Sequence, residues 1–338
     1  MSSEVLMRAP IALLPVLLFL AGLVQLDGYK LVRLRMMFAL LASGALAAAA
    51  SYLLNNLAFA HFHGSFVTYS RYVSPWIEES LKAALLIFLI RTRRVGLPVD
   101  AGIAGFAIGT GFAVVENLYY LAARPHTVLA VQVIRGFGTA IMHGGTAAIL
   151  AMITNMLHER RPSGGLHLLL PGLLAAVALH TGYNYLLARP ALATLATLLV
   201  LPFVIYLVFD HSERILRTWI EVDLDSDVQL LESISTGKFL GSRAGHYMQT
   251  LRERFRGEVL ADMLCYLRVH GELAVRAKGV LLLREAGFAV PPLDAETRAK
   301  LAELSQLERA IGKSGMLALR PLMMATGKEV WQLRLLRQ

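Results

Sequence analysis

Residues 99–122 read VDAGIAGFAIGTGFAVVENLYYLA, a stretch whose only charges are Asp100 at its start and Glu116 near its end. A bilayer-spanning helix needs about 20 mostly apolar residues, at ~1.5 Å of rise each, to cross a hydrocarbon core of about 30 Å. This stretch is long enough. Comparable apolar runs lie on either side of it, at roughly 9–26, 36–60, 72–90, 127–157, 166–188 and 191–209, so the sequence predicts an all-α, polytopic membrane bundle of about seven spans. The first run follows a short cationic start, as a signal peptide would. No small-residue cleavage site follows it, and it is taken as a span.

Composition agrees. Of 338 residues 56% are hydrophobic and 17% charged, with a mean hydropathy of +0.55. Soluble domains carry about 45–50% and about 25%. Charges return only after Asp210, which predicts two domains: a transmembrane helical domain over 1–210 and a cytoplasmic helical domain over 211–338. In the latter, Leu251, Phe255, Leu260, Leu264 and Leu267 recur at helical spacing, with turn signals at Gly237, Gly241, Pro291-Pro292 and Gly312. The stretch from Met316 to Leu336 reads as an amphipathic helix resting on the membrane. The single cysteine, Cys265, excludes a disulfide framework and a cysteine-rich zinc site. The net charge of +9 comes with no nucleic-acid recognition motif, so the basic surface is assigned to the lipid bilayer.

Loop charges orient the spans. The connections after spans one, three and five hold Lys30, Arg33, Arg35, Arg91, Arg93, Arg94, Arg160 and Arg161. Those after spans two, four and six hold only Arg71, Arg124 and Arg189. By the positive-inside rule the N-terminus lies outside and the C-terminal domain in the cytoplasm of a cell (inner) membrane.

Among the acidic residues before Glu213, Glu4, Asp27, Asp100, Glu159 and Asp210 fall at span ends or loops, whereas Glu78, Glu79 and Glu116 fall inside spans. A charge at bilayer depth costs at least about 2.5–3.5 kcal/mol on insertion scales, and such residues generally serve a function. Span three opens Ser74-Pro75-Trp76-Ile77-Glu78-Glu79, with Lys82 within helical reach of both glutamates. Glu78 has the better i,i+4 spacing to Lys82, which leaves Glu79 as the expected base. In span four Asn117 can bond a neighbouring helix, and Gly105 and Gly109 form a small-xxx-small seam that admits one closely. Span five places Arg135, Thr139 and His143 four apart on one polar stripe. Span six carries His180 and, one turn on, Asn184, which can orient the imidazole or a substrate carbonyl.

Taken singly, each histidine reads as a satisfied core residue and each glutamate as an interfacial one. Taken together, Glu79, Glu116 and His180 fall about two turns below the outer surface, with His143 nearer the middle, on four successive spans. That coincidence of depth predicts one site. A desolvated carboxylate suits general-base work. Two histidines and a carboxylate can hold zinc with a position open for water; Glu116, His143 and His180 are the expected ligands. Without metal, Glu79 and a histidine can activate water between them. Both routes lead to amide hydrolysis within the membrane. The sequence has no His-Glu-x-x-His, no Gly-x-Gly-Asp and no Gly-x-Ser-x-Gly element, which argues against three other intramembrane protease chemistries.

The ordered set Glu78-Glu79-x-x-Lys82, Phe112-x-x-x-Glu116-Asn117, His143 and His180-x-x-x-Asn184 resembles the PrsW family of intramembrane proteases, within the superfamily of the CAAX prenyl proteases and bacterial Abi proteins. The resemblance covers roughly residues 70–190. It implies a bacterial protease that clips a membrane-anchored anti-sigma factor, with Glu78, Glu79, Glu116, His143 and His180 as the catalytic set and Lys82, Asn117, Arg135 and Asn184 in support. Zn2+ is compatible with this, and so is a metal-free glutamate mechanism; a homo-oligomer also fits. The domain after 210 lies outside the resemblance. The competing readings are a proton-coupled transporter, which lacks the expected inverted repeat, and a non-catalytic scaffold held by polar contacts that average only about 0.6 kcal/mol each.

Overall fold

A computed structural model describes residues 3–27, 34–92, 94–124, 127–160, 165–323, 332–333 and 335–336. Lys30, Arg33, Arg93 and Arg161 of the loop-charge pattern lie outside the described residues. The described chain is helical, with no strand among the described residues.

Twelve α-helices are described: α1 Ser3–Leu26, α2 Leu34–Ala60, α3 Phe66–Tyr72, α4 Ser74–Arg91, α5 Pro98–Ala123, α6 Leu129–Ile134, α7 Ala140–Arg160, α8 Leu170–Leu186, α9 Pro190–Ser235, α10 Arg243–Thr250, α11 Gly257–Glu285 and α12 Ala295–Leu319. A π-turn at Arg135–Thr139 joins α6 to α7. Two compact units divide at Ser212 and Glu213, inside α9 and close to the compositional boundary at Asp210.

In the first unit, six helical stretches are long and apolar enough to cross a membrane: Met7–Leu26, Leu34–Ala60, Pro98–Ala123, Leu129–Glu159, Leu166–Leu186 and the apolar part of Pro190–Ser235. The remaining expected span, 72–90, is α4. It has 18 residues, and its hydropathy is interrupted by Glu78, Glu79 and Lys82. α5 is the centre of the unit, with buried residues all round its circumference. Glycines explain how a bare helix reaches that position. A Cβ on Gly105 or Gly109 would collide with the backbone of Ala147 or His143 on α7, and one on Gly111 would meet Leu41 on α2. The predicted seam on Gly105 and Gly109 is therefore real, and it sets how deep α7 seats against α5. On the α2 side Gly44 abuts Ile108 in the same way. Phe106, Ile103, Ile108, Leu86 and Leu150 fill the space between.

The second unit has its own core, built from Met263, Leu267, Leu273 and Leu281 of α11, Leu301, Leu304 and Ile311 of α12, and Phe239 and Met248. Residues Leu251 and Phe255 precede α11 rather than belonging to it, since Leu251–Glu253 form a tight turn. The expected amphipathic helix from Met316 to Leu336 is not one element. α12 stops at Leu319, Arg320 to Met323 turn, and Leu336 packs into the core of this unit; residues 324–331 lie outside the described set. Gly312, with φ of 70°, already breaks α12 internally, because its left-handed backbone cannot continue the helix.

Candidate active site

The first turn of α4 carries Pro75, whose missing N–H costs nothing there. Buried residues Pro75, Glu79, Lys82, Ala83, Leu86 and Leu89 follow at three- and four-residue steps and face the bundle. Glu78, about 100° away, sits at the edge of that face. Helical geometry thus decides the pairing, and it is the reverse of the expectation: Lys82 pairs with Glu79, not Glu78. Lys82 Nζ lies 2.8 Å from Glu79 Oε1, and both side chains are fully buried. Glu78 accepts from Ser74 Oγ at 2.5 Å and keeps 13% of its side chain accessible.

Glu79 Oε1 accepts from Lys82, from Thr146 Oγ1 at 3.2 Å and from His180 Nδ1 at 2.8 Å. An ionised carboxylate only accepts, so His180 carries its proton on Nδ1 and presents the Nε2 lone pair. That lone pair faces Glu78 Oε2 at 3.8 Å. A carboxylate behind an imidazole in this way fixes its tautomer and ring orientation. His143 is held in the opposite tautomer. The Lys82 ammonium, 3.0 Å from Nδ1, can only donate, so Nε2 bears the proton and gives it to Glu116 Oε2 at 3.1 Å. The two rings stand perpendicular with centroids 4.9 Å apart, and Phe112 lies tilted at 42° against His143 while its face receives the Lys82 ammonium at 4.5 Å.

Beyond Glu116 the network continues to Arg135. Its Nη2 lies 3.0 Å from Glu116 Oε2, its Nε donates to Asn117 Oδ1 at 3.0 Å, and its guanidinium covers the Tyr120 ring at 3.8 Å. Asn117 in turn donates to Ala12 O of α1 at 2.8 Å, an interhelical bond of the predicted kind. The π-turn makes the Arg135 contact possible. One extra residue per turn shifts Arg135 relative to His143, and π-turns recur at functional sites for this reason. Thr139 leaves the stripe to meet Tyr183 Oη at 3.2 Å. Asn184 does not orient His180; it donates to Ser70 O of α3 at 3.0 Å and anchors that short helix instead.

All five expected catalytic residues therefore converge, contributed by α4, α5, α7 and α8. Thr146 is a member that sequence reasoning missed, although its place one turn after His143 was a usable signal. Three carboxylates, Glu78, Glu79 and Glu116, face two cations, Lys82 and Arg135, around the two rings. Glu78, His143 and His180 each offer a ligand atom within 4.8 Å of one another. The expected set has Glu116 in place of Glu78, but Glu116 is engaged by Arg135 and His143 Nε2. Two imidazoles and a carboxylate are the donor set of hydrolytic metal sites, and Glu78 Oε2 and His180 Nε2 already face each other. His143 joins them only if its ring releases Lys82 or Glu116. The second oxygen of Glu79, Oε2, is buried without a hydrogen-bond partner.

Residues 32–209, which include every charged side chain of this network, match the family described as PrsW family intramembrane metalloprotease. No curated protein and no solved structure matches the chain. The matched segment is more than half of the sequence and carries the whole constellation of Glu78, Glu79, Glu116, His143 and His180 on its expected helices; the chain belongs to the PrsW family of intramembrane metalloproteases and is a peptidase.

Proposed function

We propose that the chain hydrolyses a peptide bond of a single-span, membrane-anchored protein of the anti-sigma-factor kind, with Glu78 and His180 activating the water. The observation that carries this reading is the 3.8 Å gap between Glu78 Oε2 and His180 Nε2. It is too long for a hydrogen bond and suits a water that donates one hydrogen to each acceptor. The water oxygen then keeps a lone pair for the scissile carbonyl. Glu78, the more accessible of the two adjacent glutamates, takes the proton and returns it to the leaving nitrogen. Glu79 holds His180 in the required tautomer, and Lys82 compensates Glu79. The proton on His143 Nε2 and the Arg135 guanidinium are the nearest donors for a developing oxyanion, and both are stored on Glu116.

Zn2+ is the cofactor best matched to the donors, held by Glu78 and His180 with His143 or Glu116 as the third ligand. When bound it supplies Lewis acidity and a water that ionises near neutral pH. The loop charges support an outside N-terminus and a cytoplasmic C-terminal unit, with α4 completing seven crossings; six crossings would break the charge alternation. The site then opens toward the outer leaflet of the cell membrane.

The test is cleavage of a single-span model protein by purified chain in lipid nanodiscs, with and without chelator, beside metal analysis of the same sample. A product with an internal cut that wild type makes and His180→Ala does not is expected. Intact substrate throughout contradicts the reading. Stoichiometric zinc and chelator sensitivity decide for the metal route, and cleavage by metal-free protein decides for the carboxylate route.

A further inference from the structure

Beside the catalytic network lies a cavity to which the chemistry above assigns no occupant. It encloses about 250 Å³ and is walled by Val131, Ile134, Leu187 and Pro190, with Arg124, Gln132 and Arg135 among its polar lining. Among the described residues no carboxylate lines it. Arg135 is at once part of this wall and the partner of Glu116, so the cavity adjoins the reaction centre.

Gln132 gives the cavity a defined polarity. It is 2% exposed. Its Nε2 donates to Thr127 Oγ1 at 2.8 Å, and Thr127 Oγ1 in turn donates to Arg124 O at 3.1 Å. Because the threonine proton is committed, the amide must present nitrogen to it, which leaves Oε1 as the free end. That oxygen is buried with no hydrogen-bond partner. A buried acceptor left unmade costs about 1–3 kcal/mol, which a donor reaching it from the cavity would recover. Arg124 adds an exposed guanidinium in the same lining. An occupant satisfying both offers an N–H to Gln132 and a carboxylate to Arg124, against apolar walls.

We propose that this cavity is a substrate subsite that binds an acidic residue flanking the scissile bond, its backbone N–H on Gln132 Oε1 and its side-chain carboxylate on Arg124. The proposal rests on the peptidase reading of the adjoining site. It makes the enzyme selective for membrane-anchored proteins with Asp or Glu next to the cut, on the side where the Arg124 loop lies. Apolar walls tolerate the stem of the residue, and the positive lining rejects Lys and Arg there.

Binding and cleavage together test it. Single-span peptides identical except for Asp, Asn or Lys at that position are titrated, by fluorescence anisotropy, against the cleavage-arrested Glu78→Gln chain in phosphatidylcholine nanodiscs. The Asp peptide is expected to bind about three- to tenfold more tightly than the Lys peptide, on the scale of a half-exposed ion pair. Arg124→Glu should invert that order, while Gln132→Met should weaken all three alike. Equal affinities for the three peptides, or a uniform loss in Arg124→Glu, overturn the subsite. So does charge preference that emerges only when anionic lipid is added, which would assign Arg124 to lipid phosphate. Wild-type cleavage of the same peptides separates the two claims. Cleavage indifferent to the Asp-to-Lys change removes the subsite alone, and charge-selective binding without any cleavage removes the peptidase reading alone.

Discussion

Each unit of the chain buries a lysine, and the two make an instructive pair. Lys82 in the membrane unit is fully buried against Glu79, with its ammonium over the Phe112 ring. Lys278 in the second unit is nearly as buried, bonded at 2.5 Å to Asp227 and placed over the Trp219 ring at 5.3 Å. The motif is the same: a cation, one carboxylate and one aromatic face. The surroundings differ. Lys82 also reaches His143, through which the network runs to Glu116 and Arg135, while Glu79 carries it to His180. Lys278 stops at Asp227, whose side chain is 22% exposed. A buried charge pair by itself is a structural device. What distinguishes a site is that charges from four helices share atoms.

The largest effect should come from breaking the shared one. Lys82→Met leaves Glu79 buried without its counter-ion and frees His143 Nδ1. We expect cleavage to fall by about a thousandfold, with a destabilisation of roughly 3–5 kcal/mol. Peptidase assays on the folded fraction recovered by size exclusion separate the two effects, and near-normal activity there would reduce Lys82 to a packing role.

Gly109→Ala comes next. Its new methyl meets the carbonyl of His143, so α7 must move outward by about 1 Å to restore ordinary contact. A misplacement of about 1 Å at a reacting centre costs on the order of a hundredfold. The loss should appear in kcat with KM little changed, whereas Gly182→Ala, in open space on α8, should be silent.

Lys278→Met is the control of the comparison. Asp227 can turn toward water, so the cost should stay near 2 kcal/mol of stability. Cleavage per folded molecule should be unchanged, and a catalytic loss like that of Lys82→Met would erase the distinction drawn above.

The smallest effect is a pH dependence confined to the second unit. Burial, and secondarily the charge of Lys278, hold His270 down to about 4 from an ordinary 6.5. The folded form thus binds fewer protons than the unfolded one between those values. Stability from this group is complete above pH 6.5 and is lost as pH falls toward 4, by about 2 kcal/mol at pH 5. Hydrogen exchange of α11 amides, corrected for intrinsic rates, should accelerate from pH 7.5 to 5, and His270→Phe should remove that pH dependence.

Much of this architecture was legible. Six of the expected spans are helices of the required length and apolarity, and shared depth brought Glu79, Glu116, His143 and His180 into one cluster. Depth is additive along a helix and can be counted. Rotation is harder. Choosing between Glu78 and Glu79 required knowing which face of α4 is buried, and local spacing to Lys82 pointed the wrong way because tertiary contacts of Lys82 with His143 and of Glu79 with Thr146 decide which pair faces the bundle. The π-turn at Arg135–Thr139 has no periodic signature; it spoils the four-residue stripe by which Thr139 was grouped with His143. Asn184 was assigned to its own helix face, yet its partner, Ser70 O, sits on a seven-residue helix too short to register as a hydropathy feature. Met316 to Leu336 looked like one amphipathic segment because the turn after Leu319 interrupts the backbone without interrupting the apolar pattern.

The central claim is that Glu78, rather than its fully buried neighbour, handles the proton of the attacking water. It is tested most directly by cleavage of one single-span substrate by wild type and Glu78→Gln, reconstituted in parallel in the same vesicles. Glu78→Gln keeps the size and the Ser74 contact, so folding should be preserved while product formation falls by at least about a thousandfold. Glu78→Gln cleaving at the wild-type rate would contradict the account.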